Sequence, residues 1–150
     1  MAVTLAQLDK TLQVWKANFE KNSLAARKRS AGVFIDAVVD GTPQDTGKTV
    51  SNWQTGLGTV PQTGRGPFIE RNRNGNRVAT KANNKDMIRK AKRVDAIVIA
   101  NTNPDVMLLL EAGFSRQAPG GNIIANAVAR ALREYRTIDS YFEGKVDIGF

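Results

Sequence analysis

Apolar residues recur every three or four positions from Thr4 to about Val39, and the run stops abruptly at Gly41-Thr42-Pro43. Leu5, Leu8, Leu12, Trp15 and Phe19 carry the stripe first, and Val33, Phe34, Ala37 and Val38 resume it. That spacing places them along one face of a long helix. Thr4 is the expected N-cap, because its hydroxyl can accept from the unpaired amides of the first turn. Between the two stripes lies Lys21 to Ser30, with Lys21, Arg27, Lys28 and Arg29. It reads either as a solvated helical face or as a break between two helices, and the solvated face is preferred. Gly41 is expected to close the helix with a positive φ, and Pro43 then keeps helix from resuming.

The residues around this stop invite comparison with a phosphate-binding loop. In Gly41-Thr42-Pro43-Gln44-Asp45-Thr46-Gly47-Lys48-Thr49, five residues separate Gly41 from Gly47, one more than that loop has. The setting is also reversed, since such a loop follows a strand and opens a helix. Here a helical pattern precedes, and an alternating pattern follows. The segment is better read as a corner. The Asp45 side chain can bond the backbone two residues on, Thr46 belongs to the same turn, and Gly47 supplies a left-handed conformation. Pro43, Asp45, Thr46 and Gly47 thus form a structural corner between helix and strand. The alternation after it, Val50, Asn52, Gln54 against Ser51, Trp53, Thr55, Leu57, predicts a strand with Trp53 and Leu57 buried.

Cysteine and histidine are both absent. Their absence removes disulfides, thiolate chemistry, Ser-His-Asp and Cys-His arrangements, and ordinary zinc sites. A carboxylate site is left formally open. Glu111, beside Gly113, would need a second acid nearby, and Asp105 sits six residues away, off its helical face. No catalytic residue, cofactor or metal is therefore expected. No apolar run approaches the roughly 20 residues that span a bilayer, and Met1-Ala2-Val3-Thr4 does not open a secretory leader. The expectation is a soluble single domain over residues 1–150 that is made in the cytoplasm and has no membrane partner. Its core is placed at about 4–136 and its tail at 137–150.

The net charge of +8 is concentrated. Residues 61–93 hold ten Lys or Arg against Glu70 and Asp86, while the rest of the chain carries twelve of each sign. Residues 58–82 are also rich in Gly, Pro, Asn and Gln and poor in aliphatics, which predicts a long loop or arm. The basic loop is placed at about 58–93, with a short helix capped near Asn83-Asn84 and ending about Arg93. Arg65, Arg71, Arg73, Arg77 and Lys81 are its candidates for contact with a partner protein or with DNA. Val94 to Ala100 reads as a buried strand. Pro104 opens a short helix, Val106 to Ala112, closed by Gly113. A final amphipathic helix runs from about Asn122 to Arg136, and the apolar tail beyond it either folds onto its own domain or is lent to a neighbour. The predicted class is α+β, with N- and C-terminal helices packed on a small antiparallel sheet.

Four features in this order resemble the tailed-bacteriophage minor tail protein family, whose members act in tail completion and head-tail joining. They are the long N-terminal helix; the corner Thr42-Pro43-Gln44-Asp45-Thr46-Gly47 with Ser51 and Trp53 after it; the passage from Ile99-Ala100-Asn101 to Leu109-Leu110-Glu111-Ala112-Gly113; and the C-terminal Ala/Arg helix. Asn101, Leu110, Glu111 and Gly113 are the motif residues of the third feature. The resemblance covers about residues 5–135 and implies a small α+β domain with no catalytic residues. It also implies a ring, by analogy a hexamer, located in the virion neck or at the head-proximal end of the tail. The implied partners are other copies of the chain, neck connector or adaptor proteins, and tail-tube or other tail proteins. The basic arm reads either as a contact to an acidic surface of a neighbouring ring protein, which is preferred, or as a non-specific contact to packaged DNA. The alternative is a small basic nucleic-acid-binding protein using residues 61–93. Phe68 is the one aromatic among those charges, which gives little support to base stacking.

Overall fold

A computed structural model describes residues 4–43, 47–68, 72–104, 106, 110 and 121–142, with backbone alone at 73 and 136–142. The first helix, α1, is unbroken from Leu5 to Gly41. Thr4 caps it as expected, in a reciprocal box. The Thr4 hydroxyl accepts from the Gln7 amide at 3.3 Å, and Gln7 Oε1 accepts from the Thr4 amide at 2.9 Å. Lys21 to Ser30 contains neither Gly nor Pro, so nothing breaks the helix there. The segment is partly solvated, with Lys21 and Arg29 exposed, but three of its cations also reach neighbouring elements. Arg27 donates to the carbonyls of Arg93 and Asp95, both at 2.8 Å, Lys28 donates to the Arg89 carbonyl at 2.7 Å, and Arg29 pairs with Glu134 at 2.6 Å.

Gly41 departs from its expected role. It is the last residue of α1 and is not left-handed; positive φ falls instead on Gly47, Gly58, Gly121 and Asn122. Its lack of a side chain serves close packing, since a Cβ there would lie 2.8 Å from Ile123 Cγ2. Ile123 opens the last helix, α4, which runs to Phe142. That is six residues past the expected end at Arg136, into what reads in the sequence as tail. The α4 helix lies antiparallel to α1, with Ser30 donating to the Ala131 carbonyl at 2.8 Å and Arg29 meeting Glu134 further along.

Past the corner, Lys48–Ser51 form one turn of helix, α2, where a strand is expected. Gly47 at φ 78° is its N-cap, and the Ser51 amide donates to the Gly47 carbonyl at 3.0 Å. The extended backbone starts at Trp53. Strand β1, Trp53–Leu57, pairs antiparallel with β2, Ile97–Asn101, from Trp53↔Asn101 to Leu57↔Ile97. Trp53 is buried, whereas Leu57 and the whole of β2 are half-buried. Among the described residues no third strand joins either edge of this ladder.

The largest correction concerns the basic loop. Residues 58–68 are irregular, but Arg73–Lys90 form α3, an 18-residue helix packed on α1 and β1. Its inward positions are Asn76, Thr80, Asn84 and Ile88, each four residues apart and each buried. Three of these four are polar, so the face has the spacing of a helix without the apolar residues that reveal one. Asn84 replaces the missing apolar contacts with hydrogen bonds. Its amide donates to the Trp53 and Thr80 carbonyls at 2.8 Å, and its oxygen accepts from Thr55 Oγ1 at 2.6 Å.

The apolar core joins Ile35, Val38 and Val39 of α1 to Val50, Trp53, Ile88, Leu110 and Ala127. Phe34 meets the Trp53 ring edge-on at 6.1 Å. The fold is α+β, with a long N-terminal helix, a C-terminal helix and a two-stranded antiparallel sheet. Two substitutions test the polar face of α3. The Thr80 hydroxyl is buried without a hydrogen-bond partner among the described residues, so Thr80→Val should raise unfolding stability, by about 1 kcal/mol. Asn84→Leu should lower it by about 2–4 kcal/mol, because it leaves the Thr55 hydroxyl unpaired and the Trp53 carbonyl with only its longer bond from Arg65. Urea unfolding measures both, and equal effects would contradict this account of the face.

Candidate functional site

Four separate stretches of chain meet at Asn52. Its amide donates to the carbonyls of Lys48 and Arg65, both at 2.7 Å. Its side-chain oxygen accepts from the Arg65 amide at 2.8 Å and from Thr102 Oγ1 at 2.7 Å. The residue is buried, so these bonds replace the solvation it has lost. Beside it, the Trp53 indole donates to Thr42 Oγ1 at 2.9 Å, and that hydroxyl donates to the Val38 carbonyl. The end of α1, the one-turn α2, the loop before α3 and the end of β2 are thereby fixed to one another.

The two motif passages converge here. Asn101 donates to the Thr49 carbonyl at 2.8 Å, and Asn103 donates to Thr49 Oγ1 at 2.7 Å. Leu110 is fully buried in the cluster that holds Val50 and Trp53. Pro43 is half-buried at the corner. Gly47 is buried and left-handed as expected, and a Cβ on it would lie 2.3 Å from Asn76 Nδ2. Asp45, Thr46, Glu111 and Gly113 lie outside the described residues, as do Gln44, residues 143–150 of the tail and most of the expected helix 106–112. Within that stretch, Val106 and Leu110 are helical.

The basic segment spends much of its charge inside the molecule. Arg65 donates to the carbonyls of Ser51 at 2.6 Å and Trp53 at 3.3 Å and lies 4.4 Å over the Phe68 ring. Burial draws its guanidinium below the usual arginine pKa. Arg77 donates to the Asp40 carbonyl at 3.1 Å, Lys81 pairs with Asp40 at 2.7 Å, and Lys85 pairs with Asp36 at 2.8 Å. Arg89 binds Asp86, and Arg93 binds Glu20. Lys90 and Lys92 are exposed. Arg71 and the Arg73 side chain are outside the described set. Arg65, Arg77 and Lys81, read from the sequence as outward contacts, thus also fasten the loop and α3 to the body.

Two other surfaces stand out, and the charge pattern points to neither. An apolar groove of about 470 Å³ runs between α1, β2 and α4, lined by Phe34, Ile97, Ile99, Val128, Leu132 and Tyr135 among others. The N-terminal half of α1 is the second. Leu5, Leu8, Leu12, Trp15 and Phe19 are exposed by 86%, 41%, 55%, 47% and 46%, and Trp15 stacks on Phe19 at 5.4 Å. The stripe is helical, as its spacing predicts; a periodic stripe shows which face is apolar but not what covers it.

Among the described residues, no group of three carboxylates, Cys or His is placed to hold a metal ion, and no helix is long and apolar enough to cross a membrane. Comparison with protein-family models, curated proteins and solved structures found no match.

Two variants probe the junction. Asn52→Leu leaves the Arg65 amide and two carbonyls unpaired and should cost about 3–5 kcal/mol. Gly47→Ala combines a left-handed Cβ with the Asn76 overlap and should cost about 2–4 kcal/mol. Thermal unfolding reads both; a change below about 1 kcal/mol in either would show that the junction does not hold the fold together.

Proposed function

We propose that this chain is a non-catalytic structural protein of a tailed-bacteriophage virion, completing the tail or joining tail to head in the neck as an oligomeric ring. The observation that carries this reading is the ordered set of motif passages, whose described members meet at one junction. Asn101 and Leu110 lie beside the corner, where they set the shape of the subunit. A rigid body with an apolar helix projecting from it suits a protein that works by joining neighbours. By family analogy the ring holds about six copies, contacting neck connector or adaptor proteins on one side and tail proteins on the other.

Negative-stain images of particles assembled without the protein test this. Free heads and unattached or unfinished tails are expected, and complete head-attached tails would contradict it. The basic excess of residues 61–93 favours a second reading, in which the chain binds nucleic acid through phosphate contacts. The internal bonds of Arg65, Arg77, Lys81, Lys85, Arg89 and Arg93 weigh against it. A gel shift of duplex or single-stranded DNA that strengthens steeply as salt is lowered would favour this second reading.

A further inference from the structure

We infer that the exposed N-terminal half of α1 is a self-association seam, on which two copies of the chain pair antiparallel about a two-fold axis near Leu12. The spacing of Leu5, Leu8, Leu12, Trp15 and Phe19 alternates three and four, the seam repeat of a two-stranded coiled coil. Toward the C-terminus, the same register passes through Ala26, which is buried, and Arg29, which pairs with Glu134 of α4. Over the C-terminal half of α1, α4 and α3 pack alongside, through Ser30 and Arg29 to α4 and through Asp36 and Asp40 to α3. From Phe19 to Leu5 the face is exposed.

Charge selects the orientation. One flank of the seam carries Asp9 and Lys16, both exposed and seven residues apart; the other carries Thr4, Thr11 and Asn18, all uncharged. In an antiparallel pair like flanks face each other, so Asp9 of each copy meets Lys16 of its partner and two ion pairs form by symmetry. In a parallel pair the charged flank faces the uncharged one and no ion pair forms. Area supports a second copy as the occupant. Taking about 200 Å² for each side chain, these exposures leave roughly 550 Å² of surface per copy. Two copies would bury up to about 1,100 Å², just above the roughly 1,000 Å² that a biological interface needs and in the range of weak, reversible pairs. The contact is isologous and closes on two copies. It is therefore separate from the contact that would close a ring, and it stands whether or not the chain belongs to a virion.

The chain has no cysteine, so single cysteines report the geometry cleanly. Under mild oxidation of the purified full-length protein, Leu12→Cys should give a disulfide-linked dimer, because its two copies lie beside the axis. Leu5→Cys should stay uncrosslinked, since its copies are then about 22 Å apart along the helices. Charge reversal gives an independent readout by sedimentation. Asp9→Lys alone and Lys16→Asp alone should each weaken association at least tenfold, and an equimolar mixture of the two variants should restore it as a heterodimer. A wild-type protein that is monomeric at about 100 µM, cysteines at 5 and 12 that crosslink equally, or a mixture that does not restore pairing would each overturn the proposal. Closure of the seam by the chain's own tail would appear as the first of these outcomes.

Discussion

Asn52 stands where the one-turn α2, the loop before α3 and the end of β2 approach one another closely. One planar amide joins them with two donated and two accepted hydrogen bonds. Its neighbour Trp53 extends the arrangement through its indole to Thr42 and thus to the last turn of α1. A buried polar cluster of this kind is favourable only while every member is satisfied, because each bond lost leaves a desolvated group behind. The corner, the loop before α3 and the end of β2 therefore depend on one another.

What was legible in the sequence followed from apolar spacing and from backbone chemistry. Long helices at both ends, the cap at Thr4, the left-handed Gly47 and the buried Trp53 each rest on a local rule that acts on a few neighbouring residues. What was hidden involved polar residues acting as core. The α3 helix faces inward with Asn76, Thr80 and Asn84, so its sequence has the composition of a loop. A search for Asn and Thr spaced by four could have found it. Gly41 illustrates a different limit, because its close approach to Ile123 is a tertiary fact that no local pattern contains. The basic excess around Arg65, Arg77 and Lys81 is legible in the sequence, but the acid and carbonyls that hold them come from α1, α2 and β1 and are remote in sequence.

Once those partners are in place, the body of the molecule is largely satisfied within itself. Many of its described cations meet carboxylates and backbone carbonyls, and its buried amides are hydrogen-bonded. Among the described residues, the N-terminal half of α1 and the groove between α1, β2 and α4 expose apolar surface. Surface of this kind on a rigid projecting helix favours contact with another protein over chemistry on a small molecule. In the proposed function the junction at Asn52 has a mechanical role, since with Trp53 it ties the last turn of α1 to the loop before α3 and the end of β2.

The proposal that this is a virion protein working by contact is tested most directly on the particle itself. Gold-labelled antibody against the chain, applied to purified virions and imaged by electron microscopy, should mark a single position at the head-tail junction or the head-proximal end of the tail. Virions that carry no label, with all of the protein recovered free in the lysate, would contradict it.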